Sequence, residues 1–379
     1  MSNILYHSSR ALNENSGGFI EFDSIDFSIE DVGRKLMKNS VYIEADVEVF
    51  KTANQLLVLK DKVGVNKNIG FSAMFESFSV DAKGQNIQNL QSYGRYCNVV
   101  NVASSNIGSV LSPASQAEGQ QMTEEAGRYI CQSVNSDAVN ASSAPITNVF
   151  RSAQFCIKPK ICLNSMFGDD YSFEKNGAIR ISCNLARNGT ALYGGDVSGA
   201  SSYKLKNVRL RYMTSLDDGK QGEMIMNSVV SIKQSINSEQ ANLSVKVPSK
   251  AVTGVVMTYI KQSNEVSLTQ DSYGLESIPL LDEIVYLFSD SQSKYISYNI
   301  TDKDDMLSLG LKALSETGVK CKVNSFNAGA NQNVIHGLSF EDTIDLSNQK
   351  FSVNLRSSSS KISTEPRNVF LHFLTIISL

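Results

Sequence analysis

At 379 residues, with 35 basic side chains against 38 acidic ones, the chain is long enough for two domains with cores of their own and is nearly neutral. That balance excludes a protein that holds DNA, RNA or an anionic membrane by bulk charge. Ser, Asn, Thr and Val are plentiful, helix-forming stretches are short and tryptophan is absent, which points to an all-β protein with many loops.

Residues 1–39 show little periodicity before Phe19, Ile20 and Phe22, and carry six acidic side chains against four basic ones. They read as an N-terminal arm outside the first core, and the charge argues against a nucleic-acid-binding tail. Phe19, Ile20 and Phe22 are expected either to anchor that arm or to cap their own barrel. No basic segment leads into an apolar one, so no secretion signal is expected. No apolar run approaches the roughly 18 residues of a membrane span.

Residues 40–51 form a clear strand. Val41, Ile43, Ala45, Val47 and Val49 alternate with Tyr42, Glu44, Asp46 and Glu48, the period of a half-buried strand. A partner is expected over 55–60, and an aromatic strand over 71–80 that ends at the turn 81–84. The spacing of Ile87, Leu90, Tyr93, Cys97 and Val100 predicts a short helix over 87–102. Residues 103–148 are the least patterned, a long loop with one helical turn at 124–130. Strands return over 154–160, 178–185 and 203–213, with a loop at 189–202.

The polar run from Ser215 to Gly222 would be held by neither strand nor helix, and divides the chain. Beyond it, strands are predicted over 228–236, 241–247, 252–260, 283–290, 319–326, 350–355 and 368–377. The segment 251–260 is apolar throughout, as a strand covered on both faces would be. A helix is predicted over 302–317, with Thr301 as its cap and Gly318 as its stop. The fold class expected is all-β: two tandem eight-stranded antiparallel jelly-roll sandwiches with a few short helices in the connections. The expected divisions are an arm over 1–39, a first jelly roll over 40–216 and a second over 217–379.

Signals for chemistry are poor. No GxSxG, HExxH or glycine-rich phosphate loop stands in a strand–helix context. Asp169-Asp170, Asp217-Asp218 and Asp304-Asp305 are adjacent pairs, and neighbours on a strand point to opposite faces. The histidines at 7, 336 and 372 are far apart, and His372 lies in an apolar strand. The six cysteines form no CxxC pair and read as reduced, buried side chains. The lack of tryptophan argues against a carbohydrate-binding platform, for which Tyr193, Tyr203 and Tyr273 could serve. Sequons at Asn140, Asn188, Asn242 and Asn299 are expected to be chance in so Asn-rich a chain. The sequence therefore assigns no catalytic residue, no cofactor site and no metal site, and the expected role is not enzymatic.

Three stretches resemble the double jelly-roll major capsid proteins of tailless icosahedral DNA viruses, the group of tectivirus-like phages, virophages, polinton-like viruses and adenovirus hexon. The first is Gly33-Arg34-Lys35-Leu36-Met37-Lys38-Asn39-Ser40, similar to the start of the first barrel. The second runs from Asn68-Ile69-Gly70-Phe71 to Asn89-Leu90-Gln91-Ser92-Tyr93-Gly94-Arg95-Tyr96. The third is Gly337-Leu338-Ser339-Phe340-Glu341-Asp342 with Ile344 to Phe351, a polar loop feeding the last strands around Phe370-Leu371-His372-Phe373. The resemblance implies homotrimeric, pseudo-hexameric capsomers that self-assemble into an icosahedral shell, and a location in the virion. It also implies penton and minor capsid proteins as partners, with an internal membrane left open, and no sequence-specific nucleic-acid binding. The alternative is a β-sandwich adhesin or carbohydrate-binding protein.

Overall fold

The structure, a computed structural model, describes residues 4–50, 64–104, 117–119, 152–165, 169–192, 202–219, 224–289, 295–321 and 335–378. The first half contains β1 (Leu5–Arg10), β2 (Ser24–Ile29), β3 (Arg34–Leu36), β4 (Tyr42–Phe50), β5 (Phe75–Ala82) and β6 (Gln85–Leu90). Helix α1 (Tyr93–Ser104) follows, then β7 (Ser152–Ile157), β8 (Tyr171–Ser172), β9 (Ile179–Leu185) and β10 (Ser202–Leu216). The second half contains β11 (Ile225–Ile236), β12 (Gln240–Lys246), β13 (Val252–Lys261), β14 (Leu281–Ser289) and β15 (Tyr295–Ile300). Helix α2 (Lys303–Glu316), β16 (Ile335–Ile344), β17 (Lys350–Ser357) and β18 (Arg367–Ser378) complete it.

The pairing gives two sandwiches of one design. In the second half the sheets run β11-β18-β13-β16 and β12-β17-β14-β15. In the first half they run β1-β10-β4-β7 and β2-β9-β5-β6, with the short β3 and β8 added beside β10. Numbering the eight principal strands within each half, both have the orders 1-8-3-6 and 2-7-4-5. Every pair is antiparallel. The helix also falls at the same place, between the fifth and sixth principal strands of each half.

Alternation explains why these segments pair. In the strand at 41–50, Val41, Ile43, Ala45, Val47 and Val49 are buried while Tyr42, Glu44, Asp46 and Glu48 are half-exposed, because successive side chains point to opposite faces. The first core is built on Phe75, Phe78, Tyr93 and Phe155, the second on Tyr286, Phe288, Phe340, Phe351 and Phe373. Burying each such ring contributes roughly 1.5–3 kcal/mol. The apolar strand β13 is covered on both faces, since α2 lies across it and β16. That approach depends on Gly337, where a Cβ would fall 2.8 Å from the Cα of Gly310 in the helix.

Several expectations give way. Residues 1–39 are not an arm outside the first core: β1 pairs with β10, β2 pairs with β9, and these are the first two strands of the first sandwich. Phe19 is buried against it and bridges to Leu205, whereas Ile20 and Phe22 are exposed. Gly70–Met74 is a turn of 3-10 helix, so the aromatic strand starts at Phe75. Residues 85–90 are a strand, and the helix expected over 87–102 starts only at Tyr93. Asp302, not Thr301, caps α2, accepting hydrogen bonds from the amides of Asp304 and Asp305 at 2.8 and 3.2 Å. Gly337 to Asp342 belong to a strand rather than a polar loop. The expected strand at 55–60, the helical turn at 124–130, nearly all of the loop at 103–148, residues 193–201 of the loop at 189–202, and residues 322–326 lie outside the described residues. The start of that second loop is a helical turn over Asn188–Ala191. Residues 319–321 carry no strand.

Candidate assembly surface

The adjacent carboxylates do structural work. Asp217 is buried beneath Ser172 and Lys35, and Asp218 holds the Lys35 ammonium at 2.5 Å. Asp304 and Asp305 lie in the first turn of α2, where carboxylates suit the helix dipole. His7 stacks on Tyr212 with ring centroids 4.7 Å apart and bonds Thr214 at 2.8 Å. His336 and His372 are fully buried, each with one ring nitrogen 2.7 Å from a hydroxyl, of Tyr259 and Ser231 respectively. Burial pushes both down to about 3, so both are neutral imidazoles at physiological pH.

Burial likewise pushes the thiols of Cys97 and Cys162 up to about 12, far from the range of a nucleophile. Tyr203 and Tyr273 are buried, which removes them as a sugar platform, and Tyr193 lies outside the described residues. Among the described residues no three side chains are grouped to hold a metal. Two hollows stand out, the first lined mainly by polar surface and the second mainly by apolar surface. One of about 670 Å³ opens on the second sandwich beside Asn242, Tyr295, Asp345 and Lys350. Another of about 310 Å³ lies between the sandwiches beside Tyr96, Lys158, Lys160, Val229 and Lys320.

The most constructed region is the seam between the two sandwiches. Helix α1 lies there because Tyr93, Tyr96, Cys97 and Val100, on one apolar stripe, turn inward. Arg95 is buried on the same helix. Its guanidinium sits 4.3 Å from the ring centroid of Phe370 in β18, and its Nη2 donates to the carbonyl of Ser272. Asn98 donates to the carbonyl of Tyr273 at 2.6 Å, and Asn66 to the carboxylate of Asp271 at 2.5 Å. The Tyr273 hydroxyl returns across the seam to the carbonyl of Ala73 at 2.9 Å. The amide of Ser267 and the hydroxyl of Ser272 both donate to the carbonyl of Gly189 at 2.9 Å. A buried interface crossed by this many hydrogen bonds holds its halves in one geometry, although Nη1 of Arg95 has no hydrogen-bond partner among the described residues.

The outer surface differs. Residues 4–32 expose Leu5, Tyr6, Leu12, Phe22 and Val32, with Tyr6 81% accessible. Among the described residues strand β1 pairs only with β10 and has no fully buried side chain, an arrangement open to further contacts. Arg95 falls in a stretch that carries the family resemblance, but nothing local in the sequence pairs it, or Asn98, with the loop that holds Tyr273. The only hint is a charged residue inside the apolar stretch from Tyr93 to Val100.

No family model matches the chain, and no curated protein matches it. Solved structures do. PBCV-1 VP54, as fitted into a reconstruction of the virophage Sputnik, superposes with a TM-score of 0.59 at 10% identity, over 100% of this chain and 95% of that one. The structure of the Sputnik virophage gives 0.61 at 7% identity, over 99% and 85%. The Faustovirus major capsid protein gives 0.58 at 9%, over 100% and 90%. The fold is that of the double jelly-roll major capsid proteins. The two sandwiches are therefore two jelly rolls, and the matches span both of them and the seam between.

Proposed function

We propose that this chain is a viral major capsid protein, three copies of which form a pseudo-hexameric capsomer that tiles an icosahedral shell. One observation carries the reading: two jelly rolls of identical strand order are joined by a buried, hydrogen-bonded seam. Two similar lobes per chain make six lobes about a threefold axis, so one polypeptide can fill a hexagonal lattice. The likeness over nearly the whole chain to a major capsid protein and to chains of capsid reconstructions supports it. On this reading the first roll ends at 216 and the second begins at 217. The partners are further copies, neighbouring capsomers, a penton protein and minor capsid proteins, and the place of action is the virion. The role is structural, without a reaction. The adhesin alternative loses two of its three candidate platform rings with the burial of Tyr203 and Tyr273.

Light scattering coupled to size exclusion tests the proposal. The expected mass is three times the 41.5 kDa chain, held together by well over the roughly 2,000 Å² typical of permanent complexes. A monomer at micromolar concentration in neutral buffer counts against it.

A further inference from the structure

Arg95 is buried in the seam and gives Nη2 to the carbonyl of Ser272, but its Nη1 has no hydrogen-bond partner among the described residues. Two more buried polar atoms without a partner fall on the same patch, Nε2 of His372 and the hydroxyl of Thr258. Strand register brings them together. Thr258 in β13 stands directly opposite Phe370 in β18, and His372 is two residues further along the same face of β18. Opposite side chains lie about 5 Å apart, and neighbours on one face about 6–7 Å. That face looks into the seam. The Arg95 guanidinium sits 4.3 Å from the ring centroid of Phe370, and the rings of Tyr96 and His372 are 5.7 Å apart.

All three atoms can act as donors. The guanidinium keeps its charge throughout the pH range of a folded protein. The Ser231 hydroxyl is 2.7 Å from Nδ1 of His372, and when it donates there the proton of the neutral ring sits on Nε2. Thr258 has a hydroxyl hydrogen free to rotate. The carboxylates in the field of Arg95 are committed elsewhere: Glu265 to Lys233 and Asn368, and Asp271 to Asn66. Glu76, the remaining carboxyl, does not bond Nη1 either. A buried cation with an open donor is costly unless an anion meets it.

We propose that the seam binds a small monovalent anion of halide size, held by Nη1 of Arg95, Nε2 of His372 and Oγ1 of Thr258. One negative charge matches the single guanidinium, and a halide accepts from several directions at once. A phosphate or sulfate would bury more acceptor oxygens than three donors can satisfy. Arg95 belongs to the first roll, and His372 and Thr258 belong to the second, so the ion ties one roll to the other. The site lies within a single chain and stands whether or not copies assemble.

A crystal of the full chain grown with sodium bromide, its data collected at the bromine edge, tests the site. The expected result is an anomalous peak within hydrogen-bond reach of Nη1. A water molecule there, the Glu76 carboxylate turned onto Nη1, or no density overturns the proposal. Denaturant midpoints in increasing bromide, with sodium gluconate holding the ionic strength constant, give the check in solution. Once free bromide exceeds its dissociation constant, each tenfold rise is expected to raise the folding constant of the wild type about tenfold. Arg95→Met should abolish that response, and the near-isosteric Thr258→Val should shift its onset to higher bromide. A wild type that does not respond, or variants that respond just as it does, equally overturns the site. Where Arg95→Met does not fold, Thr258→Val decides alone, and an unshifted onset counts against the anion.

Discussion

Gly94 sits where α1 meets the ring of Tyr273, and a Cβ there would come within 2.5 Å of Cε1 of that ring. The ring has little freedom to yield, since its hydroxyl is bonded to the carbonyl of Ala73 and the side chain is buried. In an exposed helix, Gly→Ala would gain about 1 kcal/mol from backbone entropy. Here overpacking of about 1–3 kcal/mol opposes that gain. We expect Gly94→Ala to be destabilising, with a lower denaturant midpoint. An unchanged or raised midpoint would mean that the helix can shift away from the second roll, and that the seam is softer than its hydrogen bonds imply.

At the scale of single elements, α2 depends on its first turn. Asp302 accepts from two of the amides that the helix itself cannot satisfy, and Asp304 and Asp305 add charge where the dipole favours it. Asp302→Ala is expected to cost about 1 kcal/mol, read as a drop in midpoint, while Thr301→Ala should cost almost nothing. The sequence placed this helix correctly but chose the neighbouring residue as its cap, because both residue types suit the role and only the backbone decides. Strands were legible in β4, β9 and β12, where buried and open side chains alternate, and in the apolar β18, which is buried on both faces. They were not where burial is slight: β1 and β15 each expose four of their six residues, and their sequences do not alternate clearly. In β2 the buried Ile25, Phe27 and Ile29 did alternate with Ser24, Asp26 and Ser28, but surrounding acidic residues masked the pattern. The seam was invisible for a different reason. It joins Arg95 to Ser272 across 177 positions, and no local period records a contact of that range.

For the whole molecule, the strand order of the first roll bears on the N-terminal segment. Its first principal strand is β1 and its second is β2, so residues 5–29 supply a strand to each of its two sheets. Removing residues 1–30 would expose one flank of β10 and one of β9, and with them Leu210 and Tyr212 of the first sheet and Ile179, Ile181 and Cys183 of the second. It would also delete the buried side chains of Phe19, Ile25, Phe27 and Ile29, worth roughly 1.5–3 kcal/mol each. That sum is comparable with the whole stability of a typical domain, about 5–15 kcal/mol. The truncated chain is therefore expected to be insoluble or unfolded by circular dichroism, and not merely defective in assembly. Removing only residues 1–4, ahead of β1, should leave the fold intact. A soluble, trimeric 31–379 fragment would contradict the topology, because it would require the first roll to close on six principal strands with β9 and β10 newly made edges.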